Sequence, residues 1–337
     1  LASRGPQDIM AANNGNEGGG GHRDIFVYMG GEQVVPEDVT HVRIDKSVEV
    51  IEDHAFNGCA QLEQVETHNR IRKVGRSAFI RCGSLTSIDL RSAIEIGLYA
   101  FYGCENLTDV EFGDKLETIG TCAFYECTSL ELLNLTSIIT VRAGAFHSCK
   151  ALTSIEFSER LDTIEQNAFR YCKRLRRIAI PLKRNLFLID DRFERYNQFD
   201  HCDHLVTVDL VGGIHKTVSS LHMESWRSEM QEEINRINQV LPDIDVREKS
   251  GVIRQWMESV IDKMDHYKAE HHIYVKENVT LLELALWKAK LAEKEENAAE
   301  GRTKKVKLDA KSVRKEKRIT CGADMVIKNV LPFLNLE

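Results

Sequence analysis

The chain has 337 residues, 42% apolar and 29% charged, a composition that suits folded protein and leaves room for two domains. Its longest apolar runs, such as LLELALW from Leu281, fall far short of the roughly 18 residues needed to cross a bilayer. The net charge of −7 is unevenly spread: residues 302–318 hold nine Lys or Arg against Asp309 and Glu316, a local +7, so the rest carries −14. That excess excludes bulk nucleic-acid binding and points to basic or cationic protein partners.

Residues 1–21 include NNGNEGGGG, too polar and Gly-rich to bury a core, and are expected to form a disordered lead-in. No signal peptide is visible, and the start at Leu1 leaves an upstream leader open. Order is expected from Ile25, with Ile25 to Tyr28 capping the open end of a repeat array. Val39, Val42 and Ile44 then form a half-repeat.

Ala-Phe pairs stand at 55-56, 78-79, 100-101, 123-124, 145-146 and 168-169, with phenylalanines separated by 23, 22, 23, 22 and 23 residues. Each is followed by Cys and a Leu-x-x-Ile-x-Leu strand: Leu62-Val65-Thr67, Leu85-Ile88-Leu90, Leu107-Val110-Phe112, Leu130-Leu133-Leu135, Leu152-Ile155-Phe157 and Leu175-Ile178-Ile180, and a seventh strand, Leu205-Val208-Leu210, follows Phe199 and Cys202. Self-similarity at this period predicts a leucine-rich solenoid of eight rungs, an α/β solenoid whose right-handed coil carries a parallel strand ladder. The strand segment is rigid in length. The return segment reads as elastic, since Leu116 to Ile119 spans three residues and Ile94 to Ile96 two.

Seven of nine cysteines, Cys59, Cys82, Cys104, Cys127, Cys149, Cys172 and Cys202, share one repeat position. One thiol per coil facing the core behaves as a small hydrophobe, so these are expected reduced and buried, which suggests an intracellular compartment, nucleus or cytoplasm.

After Ile180 the period breaks at PLKRNLFLIDDRFERYNQ, and the coil around Phe199 reads as a degenerate cap. Three amphipathic helices are expected next: Met223 to Ile237, ending at Pro242; Val252 to Tyr267; and a third starting at Thr280, with Glu283 completing a capping box. The domains are therefore a lead-in 1–21, a solenoid 22–212, a smaller all-α domain 213–300, a basic linker 301–320 and a short helix 321–337.

The pentapeptides AFNGC, AFIRC, AFYGC, AFYEC, AFHSC and AFRYC, at fixed phase over about residues 39–210, resemble the BspA-like leucine-rich family. The resemblance implies a non-catalytic recognition solenoid of a kind found on bacterial surfaces and in single-celled eukaryotes. It implies no cofactor.

No Gly-x-x-x-x-Gly-Lys, His-Glu-x-x-His or Gly-x-Ser-x-Gly motif is present, and a filled solenoid core offers no pocket where titratable groups converge, so no enzyme is expected. Asp200, His201, Cys202, Asp203 and His204 look like metal ligands, but Cys202 is the repeat cysteine and faces inward; no metal is expected. His266, His271 and His272 share no helical face. The acceptor patterns at Asn106, Asn134 and Asn278 matter only in a secreted protein and read as chance. Two basic clusters, Lys304, Lys305, Lys307 and Arg314, Lys315, Lys317, Arg318, resemble a nuclear import signal or a solvated linker.

The outward position of each strand reads Arg43, Glu66, Asp89, Glu111, Asn134, Glu156, Ala179, Asp209, a run rich in acid. Stacked like charges weaken a sheet, so this concave stripe, with Asp109 beside Glu111, is expected to bind the basic segment of a protein partner. The sequence thus predicts a protein-protein interaction module or scaffold, its helical tail a second contact or self-association surface. A secreted or cell-surface adhesin is the alternative.

Overall fold

The computed structural model describes residues 25–31, 33–131, 133–188, 197–211 and 224–300, the last nine by backbone alone. The lead-in, the basic clusters Lys304 to Arg318 and the segment 321–337 lie outside the described residues. The chain forms two compact units, one of residues to 180, 185–207 and 245–250, the other of 181–184, 208–244 and 251 onward.

The first unit is a parallel β-solenoid. One ladder runs Ile25–Tyr28, His41–Ile44, Gln64–Glu66, Ser87–Leu90 and Asp109–Phe112, each strand parallel to the next, and resumes with Asn134–Leu135, Ser154–Phe157 and Arg177–Ile180. The segment expected as a cap is thus itself a rung, hydrogen-bonded in register from Ile25 on His41 to Tyr28 on Ile44. Its Tyr28 is fully buried, with its ring 5.0 Å from Phe56.

A second ladder, of two-residue strands, lines the return segment: Val50–Ile51, Lys73–Val74, Glu95–Ile96, Thr118–Ile119, Thr140–Val141 and Thr163–Ile164. The return segment is therefore not elastic. Its inward pairs, Val48 with Ile51, Ile71 with Val74, Ala93 with Ile96, Leu116 with Ile119, Ile138 with Val141 and Leu161 with Ile164, all stand three residues apart and are buried. Ala93, not Ile94, holds the inward position, and the variable residue lies in the turn after the first ladder. Where that turn is one residue shorter, a serine compensates: Ser92 Oγ donates to the Ile71 carbonyl at 2.7 Å and Ser137 Oγ to the Gly113 carbonyl at 2.9 Å. Gly113 sits so close to the previous coil that a Cβ there would meet the Arg91 carbonyl oxygen at 1.9 Å.

No helix forms within the described coils, for a local reason. The residue before each Ala-Phe pair (His54, Ser77, Tyr99, Cys122, Gly144, Asn167) and the residue before each repeat Cys (Gly58, Arg81, Gly103, Glu126, Ser148, Tyr171, His201) have positive φ. Two left-handed residues per coil break Ala-Phe-x-x-Cys into consecutive tight turns. These turns stack: the Phe56, Phe79, Phe101, Phe124 and Phe146 amides donate to the carbonyls of Ala78, Ala100, Ala123, Ala145 and Ala168 in the following coil. The phenyl rings lie face to face, 4.9 to 5.4 Å apart from Phe56 to Phe169.

The thiols have a polar role beyond filling space. Cys82, Cys104, Cys127, Cys149, Cys172 and Cys202 are free and buried, and each Sγ donates, at 3.0 to 3.2 Å, to the Phe carbonyl of the preceding coil. Burial pushes all of them well above the ordinary thiol range.

The insert after Ile180 adds Leu186 and Phe187 to the core, with Phe187 bridged to Ile164. Among the described residues the last coil has no successor, and residues 245–250 substitute for one. Ser250 Oγ accepts from the Phe199 amide at 2.9 Å, in place of the next coil's carbonyl. Lys249, 1% exposed, donates its Nζ to the Leu205 carbonyl at 2.7 Å.

Helix α1 spans Glu224–Val240 in the second unit, and α2 spans Lys249–Glu300, of which all but the first two residues belong to the second unit. Trp226, Met230, Ile234 and Ile237 of α1 and Ile253, Trp256, Met257, Val260, Met264 and Tyr267 of α2 are buried at helical spacing. Trp226 stacks on Tyr267 with centroids 5.1 Å apart, and Trp256 Nε1 donates to the Glu233 carbonyl at 3.2 Å. Glu233 is ion-paired with Lys263. The second and third expected helices are one helix of 52 residues. Thr280 does not cap it; its Oγ donates to the Lys276 carbonyl one turn back at 2.8 Å, so the hydroxyl is satisfied inside a continuous helix. No Gly or Pro interrupts residues 252–300.

Candidate functional site

Strand alternation places two columns of side chains on the outer side of the first ladder. In one, Arg43 is in register with Glu66, Asp89 with Glu111, and Asn134 with Glu156, as the spacing predicts. In the other, Gln64 faces Ser87, Ser87 faces Asp109, and Ser154 faces Arg177. Asp109 and Glu111 project from one strand at the middle of this face. Asp209 is half-buried on Thr207–Leu210, and Ala179, expected to face water, is buried at 1% exposure.

The acidic column is not unopposed. Arg43 Nε bonds Glu66 at 2.6 Å, and Arg177 Nη1 lies 3.5 Å from Glu156. Arg91, in the turn after Leu90, donates through Nε to Asp89 at 3.0 Å and lies 3.3 Å from Glu111. Its guanidinium holds the Asp89 carboxyl below the usual carboxylate range. The stacked carboxylates are thus bridged, and the expectation that stability alone would disfavour them fails. Three arginines among Glu66, Asp89, Asp109, Glu111 and Glu156 leave an excess of two negative charges. The return ladder has ion pairs too, Lys73 with Glu95 at 3.1 Å and Arg142 with Glu165 at 2.9 Å, so ion pairing alone does not mark a site. Exposed pairs of this kind each contribute about 0–1 kcal/mol.

A second feature is not legible in the sequence. Tyr102, Tyr125 and His147 stack rung on rung at 4.9 and 4.3 Å, and Tyr171 stacks on His201 at 4.5 Å. These residues occupy the variable positions within the Ala-Phe-x-x-Cys turns and their Gln198-Phe199 counterpart, where single-position inspection shows only mixed polar types. Burial and the nearby Arg170 hold the His147 imidazole down to about 4.

The Asp200 to His204 pentad does not converge. Cys202 donates to the Phe169 carbonyl and Asp200 pairs with Arg170 at 3.1 Å. Among the described residues, no three His, Cys, Asp or Glu side chains could share a metal ion. His266 lies on α2 near Glu270, 3.3 Å away. The Asn134 Oδ1 accepts from its own Thr136 Oγ at 2.7 Å. Among the described residues, no helix is long and apolar enough to cross a membrane.

The thiol geometry also changes what the cysteines say about compartment. Oxidation needs an accessible thiolate, and these thiols are buried, hydrogen-bonded and held protonated. Burial alone accounts for their being free thiols, so they do not support an intracellular placement.

The family model that matches this sequence is the BspA type leucine rich repeat region, in six copies over residues 36–137 and 94–225. No curated protein matches. Among solved structures, the T. pallidum leucine rich repeat protein is 24% identical over 50% of this chain and 67% of its own, with a TM-score of 0.36. A leucine rich cell surface protein from Faecalibacterium prausnitzii is 20% identical over 52% of this chain and 60% of its own, at 0.34. The pneumococcal vaccine antigen PcpA is 14% identical over 51% and 57%, at 0.30. The chain spans less than two thirds of the length of the latter two.

Proposed function

This chain belongs to the BspA-type leucine-rich repeat family, typically non-catalytic, and on that premise we propose that it is a repeat-based binding module whose first-ladder face recognises a protein. What carries the reading is the pair of outward columns held in register, with Asp109 and Glu111 at their middle. A rigid array of this kind presents side chains to a partner without ordering entropy to overcome on binding. No reaction is assigned to it.

The partner's chemistry is set by the charges. The net excess of acid favours a basic segment, whose Lys or Arg would approach Asp109 and share Glu111 with Arg91. Glu66, Asp89 and Glu156 are satisfied by arginines of the same chain and contribute register more than attraction. The discriminating variant is therefore Asp109→Lys with Glu111→Lys, assayed by titration calorimetry against the partner recovered with the wild-type chain. Affinity should fall about tenfold or more while the unfolding midpoint stays within a few degrees. Unchanged affinity and salt dependence would remove this face as the site.

A secreted or cell-surface module is the second reading. Family membership carries the expectation of surface display, and the protected thiols remove the observation that opposed it. The helical unit supplies a second contact surface, through which the chain self-associates.

A further inference from the structure

Beyond Tyr267, helix α2 carries large apolar side chains that the described residues leave exposed or only half-buried. They fall on two stripes. Val275, Val279, Leu282 and Leu286 continue the face begun by Met264, whereas Tyr274, Leu281, Leu284 and Leu291 lie roughly 160° around the helix, at about 100° per residue, with Ile273 and Trp287 along their edge. On this second stripe Trp287 is 65% exposed, Leu281 63%, Tyr274 54%, Leu284 50% and Leu291 43%.

The stripe has the alternating three- and four-residue steps of a helix-helix seam: Tyr274, Glu277, Leu281, Leu284, Lys288, Leu291. Two of its six positions are charged, with opposite sign, and they are equidistant from the midpoint between Leu281 and Leu284. The stripe is therefore complementary to itself when reversed. An antiparallel second helix sets Leu281 against Leu284, Tyr274 against Leu291 and Glu277 against Lys288, each pairing occurring twice about a two-fold axis. A parallel pairing sets Glu277 on Glu277 and Lys288 on Lys288, which a seam does not tolerate.

We propose that a second copy of this chain docks antiparallel on the stripe from Tyr274 to Leu291, with Glu277 of one protomer paired to Lys288 of the partner subunit. The size fits a reversible dimer. Six half-exposed residues, on the order of 100 Å² each, bury about 1,200 Å² across both protomers, the lower end of specific interfaces. The inference rests on the self-association reading of the helical unit and is independent of the ladder face.

Sedimentation equilibrium of the full chain at micromolar concentrations tests it. The wild type should show a monomer-dimer equilibrium, and Leu281→Glu should be monomeric with its helical circular dichroism retained. Glu277→Lys and Lys288→Glu should each weaken dimerisation about tenfold, and the double variant should recover the wild-type constant within about threefold. A monomeric wild type, a dimer that survives Leu281→Glu, or a double variant no tighter than the singles would each overturn the proposal. Asp109→Lys with Glu111→Lys should leave the dimer constant unchanged, so failure of the ladder-face reading is separately visible.

Discussion

In the repeat unit, each coil leaves backbone donors that only the next coil can satisfy; in the helical unit, the backbone closes on itself and only side chains reach outward. The Phe124 amide donates to the Ala145 carbonyl, and the Cys149 thiol to the Phe124 carbonyl, so a coil is complete only between neighbours. The distal half of α2 needs no neighbour to be helical. A one-dimensional array must therefore repeat its sequence and terminate in a cap, whereas a helix is free to vary and to carry surfaces for other molecules.

The largest expected effect exploits the thiol column. Burial raises the folded-state pKa of seven repeat thiols above their unfolded value of about 8.5. Below that pH both states keep the proton and stability is unaffected. Above it the unfolded chain releases protons that the folded chain retains, so stability falls as pH rises, by about 1.4 kcal/mol per thiol per pH unit. The unfolding free energy, from urea denaturation under reductant, should drop steeply between about pH 8.5 and 9.5, by a total on the order of 5–10 kcal/mol. A flat profile would place the thiols in water.

Next comes a matched pair of truncations. Phe124, fully buried between Phe101 and Phe146 at 5.0 and 5.4 Å, should lose about 3–5 kcal/mol on replacement by Ala. Leu284→Ala, in dilute monomer, should change stability by no more than about 0.5 kcal/mol. Urea denaturation of both variants makes the comparison; equal losses would erase the distinction between the units.

A smaller effect sharpens the role of the cap. Ser250→Ala leaves the buried Phe199 amide without its acceptor and should cost about 1–3 kcal/mol, concentrated in the last coil. Hydrogen exchange should show faster exchange at Phe199 and Cys202 than at Phe101 and Cys104. Uniform exchange along the array would mean that the last coil needs no cap.

What is legible in the sequence divides along the same line. The coils are readable because every Phe and Cys meets the same surroundings, so one environment is written six or seven times. The strand register comes with that spacing, and with it the outward column. Its electrostatics do not, because Arg91 comes from a turn, and its bond to Asp89 is invisible to a reading of alternate strand positions. Ala93 is hidden beside the larger Ile94, since the short turn that moves the inward position is set by Ser92 and its carbonyl partner. The cap at Lys249 and Ser250 lies more than 40 residues beyond the coil it closes, and nothing local announces it. Thr280 carries a capping signature inside an uninterrupted helix, where the back-bonded hydroxyl removes the need for a boundary.

The recognition claim itself is tested most directly by photo-crosslinking in the native cell. A photoreactive residue at Asp109 or Glu156 samples the first-ladder face; one at Thr118 or Thr163 samples the return ladder of the same coils. The predicted result is one protein adduct, of constant mass, from both first-ladder positions and none from the return ladder. Adducts of equal yield from the two faces, or from the return ladder alone, would contradict it.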